Sequence, residues 1–197
     1  MKAKRQAAKE EKQRQKRIST IIGVGIAVLV LGVIGYFVLS PFISGGGFVG
    51  PVGEEFPTSG SNDHIPDENT DPNPYSTNPP TSGHHYGRWL DAGFYDINNE
   101  KYPEGHLVHN LEHGYIIFWY NCKVISEAEC TSLKAQIKEV MAGVNNFKVI
   151  GYPWEKIDEP LVLTSWGFRL SMPTFDAKIA RAFIDQHRNR APEPNAP

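Results

Sequence analysis

Sulfur is scarce in this chain, with two cysteines and three methionines among 197 residues. Cys122 and Cys130 have seven residues between them, which excludes the C-x-x-C spacing of a thioredoxin-like redox pair. No phosphate-binding Gly-rich loop, dinucleotide fingerprint or Ser-His-Asp set is present either, and no internal repeat. Charge is missing altogether from Ile18 to Leu39, 22 residues that as a helix would reach about 33 Å and span a bilayer core.

What precedes that run is as one-sided as the run itself. Residues 1–17 carry eight Lys or Arg against two Glu, so the overall charge of −2 divides into a basic tail and a remainder of 12 basic and 20 acidic residues, net −8. By the positive-inside rule the basic cluster places the N-terminus in the cytoplasm and everything after Ser40 on the far side of a cell membrane. A cleaved signal peptide fits less well, because the run exceeds the usual apolar length and no small-residue cleavage site follows. The reading is a basic cytoplasmic tail (1–17), a transmembrane helix (18–39) in the lipid bilayer, a Gly/Pro/Asn-rich linker (40–74), an extracytoplasmic domain (75–190) and a disordered tail (191–197). An acidic domain of this kind is a poor partner for nucleic acid. Outside the cytoplasm the cysteine pair reads as a disulfide, closing a short loop for about 2.5 kcal/mol, with a thiolate metal site as the other reading.

Within the domain, Tyr115–Tyr120 (YIIFWY) reads as a buried central strand. Ser126 and Glu129 form a capping box before Leu133, Ile137, Val140, Met141 and Val144, which predicts an amphipathic helix over about 126–143. Phe147–Ile150 and Leu161–Phe168 read as two more strands, and Thr174 as the cap of a last helix with Phe175, Ile179, Phe183 and Ile184 on its core face. The fold class expected is α+β, a small sheet with two helices on one face, on the pattern of a ferredoxin-like sandwich.

Six of the seven histidines fall between residues 64 and 113. His109 and His113 are spaced i, i+4, so on a helix both imidazoles share a face. Pro103, Gly105 and Gly114 bound that stretch and leave room for at most two helical turns. His85 or His84 supplies a third ligand, and His64 and Met172 are candidates for a fourth; His106 and His187 read as surface residues. A thioether among imidazoles puts copper ahead of zinc, while a set of His with Glu112 suits zinc equally. Glu112 reads as the group that orients a ligating imidazole. The same string, His109-Asn-Leu-Glu112-His113, also matches the H-x-x-E-H pattern of a zinc hydrolase, with Glu112 as general base. A metal-free envelope interaction module, its histidines bracing loops, is the third reading. Under the first, the protein holds an ion or hands it to a delivery or envelope partner, and the cofactor is copper or zinc.

Two strings carry a resemblance as well. Asn78-Pro-Pro-Thr-Ser-Gly-His-His-Tyr86 and Val108-His-Asn-Leu-Glu-His-Gly-Tyr115, followed by the aromatic strand and Leu163-Thr-Ser-Trp166, resemble the bacterial domain-of-unknown-function family 3105. Its members look like membrane-anchored or secreted proteins. The resemblance covers about residues 62–190, and His84 stands where the family usually has proline. That departure implies His85 as the family histidine.

Overall fold

A computed structural model describes Gly50 and residues 52–197 of the chain. The basic tail and the apolar run at 18–39 lie outside the described residues, and so does the first part of the span read as linker. No helix among the described residues is long and apolar enough to cross a membrane.

The chain runs through β1 (Glu54–Glu55), β2 (His64–Ile65), β3 (His85–Tyr86), β4 (Gly93–Phe94), α1 (Pro103–Glu112), β5 (Ile116–Tyr120), α2 (Glu127–Ala142), β6 (Val149–Pro153), β7 (Leu161–Ser165), β8 (Phe168–Met172) and α3 (Ala177–His187). Six strands form one mixed sheet in the order β1-β8-β7-β5-β6-β4, and β2 and β3 form a separate parallel pair.

The expected central strand is there, and its unbroken apolar run has a cause in the layering. Ile116, Phe118 and Tyr120 point into a cluster closed by Ile137 and Met141 of α2 and by Phe183 and Ile184 of α3. Ile117 and Trp119 point the other way, into a cluster with Leu107, Val108 and Leu111 of α1. Helices therefore cover both faces, and no residue of β5 has a solvent side. The α+β class holds, with a six-stranded sheet and three helices among the described residues, whereas the two helices expected on one face are joined by a third on the opposite face. The helix α2 joins β5 to β6, which pair in parallel as direct neighbours, so this βαβ unit is not split by an intervening strand as in a ferredoxin-like sandwich.

Local signals account for most elements. The Ser126 side chain accepts from the Glu129 amide at 3.3 Å while Glu129 Oε2 accepts from the Ser126 amide at 2.9 Å, completing the capping box of α2. The Cys122–Cys130 disulfide ties the exit of β5 to the first turn of that helix, with 5.3 Å between the Cα atoms. The last helix is capped by Asp176 rather than Thr174, its carboxylate accepting from the amides of Lys178 and Ile179. That cap turns Ala180 and His187 inward beside Phe183 and Ile184 and leaves Ile179 37% exposed. The run expected as one strand, Leu161–Phe168, is a hairpin, because Gly167 takes φ +77° and reverses the chain into β8.

Two stretches outside the bounds 75–190 also make defined contacts. Residues 52–74 contribute β1, which pairs with β8, and β2, which pairs with β3. In the C-terminal stretch expected as a disordered tail, the Glu193 amide donates to the Glu112 carbonyl at 3.0 Å and Lys148 Nζ to the Pro194 carbonyl at 2.9 Å.

The helix α1 departs most from expectation, with ten residues, all buried. Pro103 opens it at the first helical position, where its missing N–H costs nothing. Gly105 lies inside it, and a Cβ there would come within 2.3 Å of the Tyr86 ring. Replacing Gly105 by Ala should therefore destabilise the protein even though alanine favours helix by about 1 kcal/mol, because overpacking a filled core costs about 1–3 kcal/mol. A lower urea midpoint for the variant is the expected result, and an unchanged or higher midpoint would contradict the packing described.

Candidate metal centre

Three short elements converge where α1 ends. Pairing of β2 with β3 sets His64 directly opposite His85, and the last turn of α1 brings up His109, Glu112 and His113. The His113 amide closes that turn on the His109 carbonyl at 3.1 Å. Gly114, at φ +84°, ends it where a side chain would strike the Asn189 backbone. The spacing of His109 and His113 is thus helical, as the stronger form of the sequence argument requires.

The rings of His64, His85 and His109 form a triangle with centroid separations of 4.9, 5.0 and 5.0 Å. One ligand atom from each lies within 4.8 Å of the others. His85 is fully buried and His109 nearly so, while His64 is exposed.

Hydrogen bonding fixes which nitrogen each ring turns inward. The Nδ1–H of His85 donates to the Gly83 carbonyl at 2.9 Å, that of His109 to the Tyr86 carbonyl at 2.6 Å, and that of His113 to the Pro197 carbonyl at 3.1 Å. A carbonyl only accepts, so each of these Nδ1 atoms carries a proton, and in the neutral ring Nε2 is then a bare lone pair. Metal-ligating histidines are oriented in this way.

The inward atoms are then crowded, and two of them are unsatisfied. His109 Nε2 and His113 Nε2 approach to 2.9 Å. His85 Nε2 and Glu112 Oε2 stand 3.0 Å apart, yet they are not aligned for a hydrogen bond, and both remain without a partner among the described residues. Tetrahedral zinc with bonds of about 2.0–2.1 Å separates its ligand atoms by about 3.3 Å, so both contacts lie near the edge length of such a site.

Glu112 is held as an anion on its other oxygen. Oε1 accepts from the Asn62 amide at 2.7 Å and from the Ser61 hydroxyl at 3.0 Å. Burial pushes the carboxyl up, but the Asn62 hydrogen bond, the His85 ring and the Ser61 hydroxyl together outweigh it and bring it below the ordinary value. Burial pushes the His109 imidazole down to about 4, with His113, His85 and His64 adding to the effect against the Tyr86 carbonyl. Burial also lowers His113, against the Pro197 carbonyl and Glu193. Neutral imidazoles beside an ionised carboxylate are the protonation states that metal binding requires.

Of the residues singled out in the sequence, the structure brings together His64, His85, His109, Glu112 and His113. It does not bring His84, whose Nδ1 pairs with Asp63 at 2.6 Å and whose ring is largely exposed. Nor does it bring Met172, which is 4% exposed in the cluster beneath α2 and α3, across the sheet. His106 and His187 are buried rather than superficial, bonded to the carbonyls of Arg88 and Val52. Ser61 and Asn62 carry no motif, and only the fold shows that they hold Glu112. Trp89 stands 5.3 Å from the His109 ring and 4.9 Å from His113, and Glu193 Oε2 lies 3.5 Å from His113 Nε2.

These shifts set the direction of acid sensitivity. His109 goes from 6.5 when unfolded to about 4 when folded, so the unfolded chain takes up the proton first and stability falls as pH drops through that window. His113 acts in the same sense, and Glu112 adds a loss below its unfolded value of 4.5. The melting temperature of the metal-free chain should decline steadily from about pH 6.5 downward. A flat profile between neutrality and pH 5 would show that these side chains are not held as described.

The model of a family described as protein of unknown function (DUF3105) matches residues 67–197. That span contains His85, His109, Glu112 and His113 and begins after His64. No curated protein and no solved structure matches the chain.

Proposed function

We propose that this chain, which belongs to the DUF3105 family of proteins of unknown function, binds a first-row divalent metal ion through His85, His109 and His64 with Glu112 and His113 beside them. One observation carries the reading. The Nδ1–H groups of His85, His109 and His113 are committed to main-chain carbonyls, so in the neutral rings Nε2 carries the lone pair, and His85 Nε2 and Glu112 Oε2 are left buried without a hydrogen-bond partner among the described residues. A cation resolves that arrangement, and one carboxylate offsets part of its buried charge.

The donors are nitrogen and oxygen alone. With Met172 across the sheet, the thioether that put copper ahead of zinc is out of reach, and the set suits zinc(II) first and copper(II) second. Glu112 reads as a charge-balancing ligand or an orienting partner of His85 rather than a general base. One oxygen is occupied by two donors, and its lowered basicity is the reverse of what proton abstraction near neutral pH needs. Holding an ion, or passing it to an envelope partner, is the role this supports.

The full-length chain, purified without a histidine tag and loaded in turn with zinc(II) and copper(II), should carry a single ion, as counted by elemental analysis. His85→Ala should abolish stoichiometric binding and Met172→Leu should leave it intact. Glu112→Gln should weaken affinity by about 10–100-fold. Retention of a full equivalent by His85→Ala, or binding of neither metal by the wild type, would overturn the proposal.

The same proposal places this site outside the cytoplasm, on a chain tethered by residues 18–39. It rests on the 22-residue uncharged run, the basic cluster before it and the Cys122–Cys130 disulfide, a bond characteristic of oxidising compartments. The chain should stay with the membrane pellet after alkaline carbonate extraction, and quantitative release into the supernatant would contradict the anchor.

A further inference from the structure

The opposite end of α1 carries a second unsatisfied polar group. Glu104, in the first turn, has a side chain only 2% exposed. Its Oε1 accepts from Asn73 Nδ2 at 3.1 Å and from Lys156 Nζ at 3.3 Å. Its Oε2 has no hydrogen-bond partner among the described residues. Glu104 lines a cleft of about 410 Å3, together with Tyr75, Thr77, Asn78 and Trp154. The wall of the cleft thus contains a buried carboxyl group paired on one oxygen with the Lys156 ammonium.

The opposite wall is aromatic and fixed. Trp154 is 5% exposed, and its Nε1–H donates to Asn78 Oδ1 at 2.9 Å. The Asn78 amide in turn donates to the Lys156 carbonyl, which pins the loop that carries the lysine. The Lys156 ammonium lies 4.5 Å from the Trp154 ring centroid while bonded to Glu104 Oε1. An ammonium group thus already sits between an indole face and a buried carboxylate, an arrangement that holds organic cations. It does so at the end of a flexible side chain that remains 62% exposed.

We propose that this cleft binds a small organic ligand through a primary ammonium group, which takes the place of the Lys156 ammonium between the Glu104 carboxylate and the Trp154 ring, and that Lys156 is a tethered competitor for both. An anionic ligand is disfavoured by the buried acidic side chain in the wall, Glu104. A neutral polyol carries no charge to replace that of the Lys156 ammonium at the carboxylate.

The test uses the full-length chain, n-butylamine and 1,4-diaminobutane as probes and glucose as the neutral control, with binding followed by calorimetry. Saturable binding of both amines and none of glucose is expected. Glu104→Gln should weaken amine binding by about tenfold or more, since it removes the charge from the acceptor. Lys156→Met should tighten it by about fivefold, because the internal ammonium no longer competes for the ring. Lys156 is largely exposed, so this variant reads the site even where the Glu104 change unsettles the fold. Absence of amine binding to both the wild type and Lys156→Met would overturn the proposal, as would unchanged or weaker binding to Lys156→Met, or binding of glucose alone.

Discussion

The commitment of three imidazole N–H groups to main-chain carbonyls is the interaction on which the rest of the site depends. Gly83, Tyr86 and Pro197 supply those carbonyls, and each leaves a ring with its lone pair turned inward. Rotating any one ring would break a buried hydrogen bond, worth about 0.5–1.5 kcal/mol net and more if its partner is stranded. The fold therefore fixes the orientation of these rings, with Trp89 packed beside them and the segment bearing Ser61 and Asn62 holding Glu112.

That arrangement explains features that look unfavourable singly. A ten-residue helix buried on every side is costly unless its polar side chains are satisfied, and most of them are. Asn110 clamps both the amide and the carbonyl of Leu90, and His106 bonds the Arg88 carbonyl. The unsatisfied exceptions on α1 are Glu112 Oε2 and Glu104 Oε2, at opposite ends of the helix. Buried polar groups left unpaired are rare in native proteins, which is why both ends are read as places where a ligand completes the structure.

Much of the scaffold was legible in the residues. The YIIFWY strand, the Ser126–Glu129 capping box and the pairing of Cys122 with Cys130 are local signals, and each appears as expected. The histidines were legible through the i, i+4 spacing of His109 and His113 and the choice of His85 over His84. What stayed hidden depends on contacts distant in sequence. Pairing of His64 with His85 joins two-residue strands across a stretch that composition alone marks as linker. Pro103 and Gly105 read as breakers, yet one starts the helix and the other makes room for Tyr86. Met172 stood as one candidate for a fourth ligand because sequence does not say which face of the sheet a strand residue will occupy, and it faces α2 and α3.

The central claim concerns the tautomers of these rings, and long-range proton–nitrogen correlation NMR reads them directly. In the zinc-loaded chain at neutral pH, His85 and His109 should each carry the proton on Nδ1, with Nε2 showing the shift of a metal-bound nitrogen. A proton on Nε2 of either ring would contradict the account, since that nitrogen would then have no lone pair to offer.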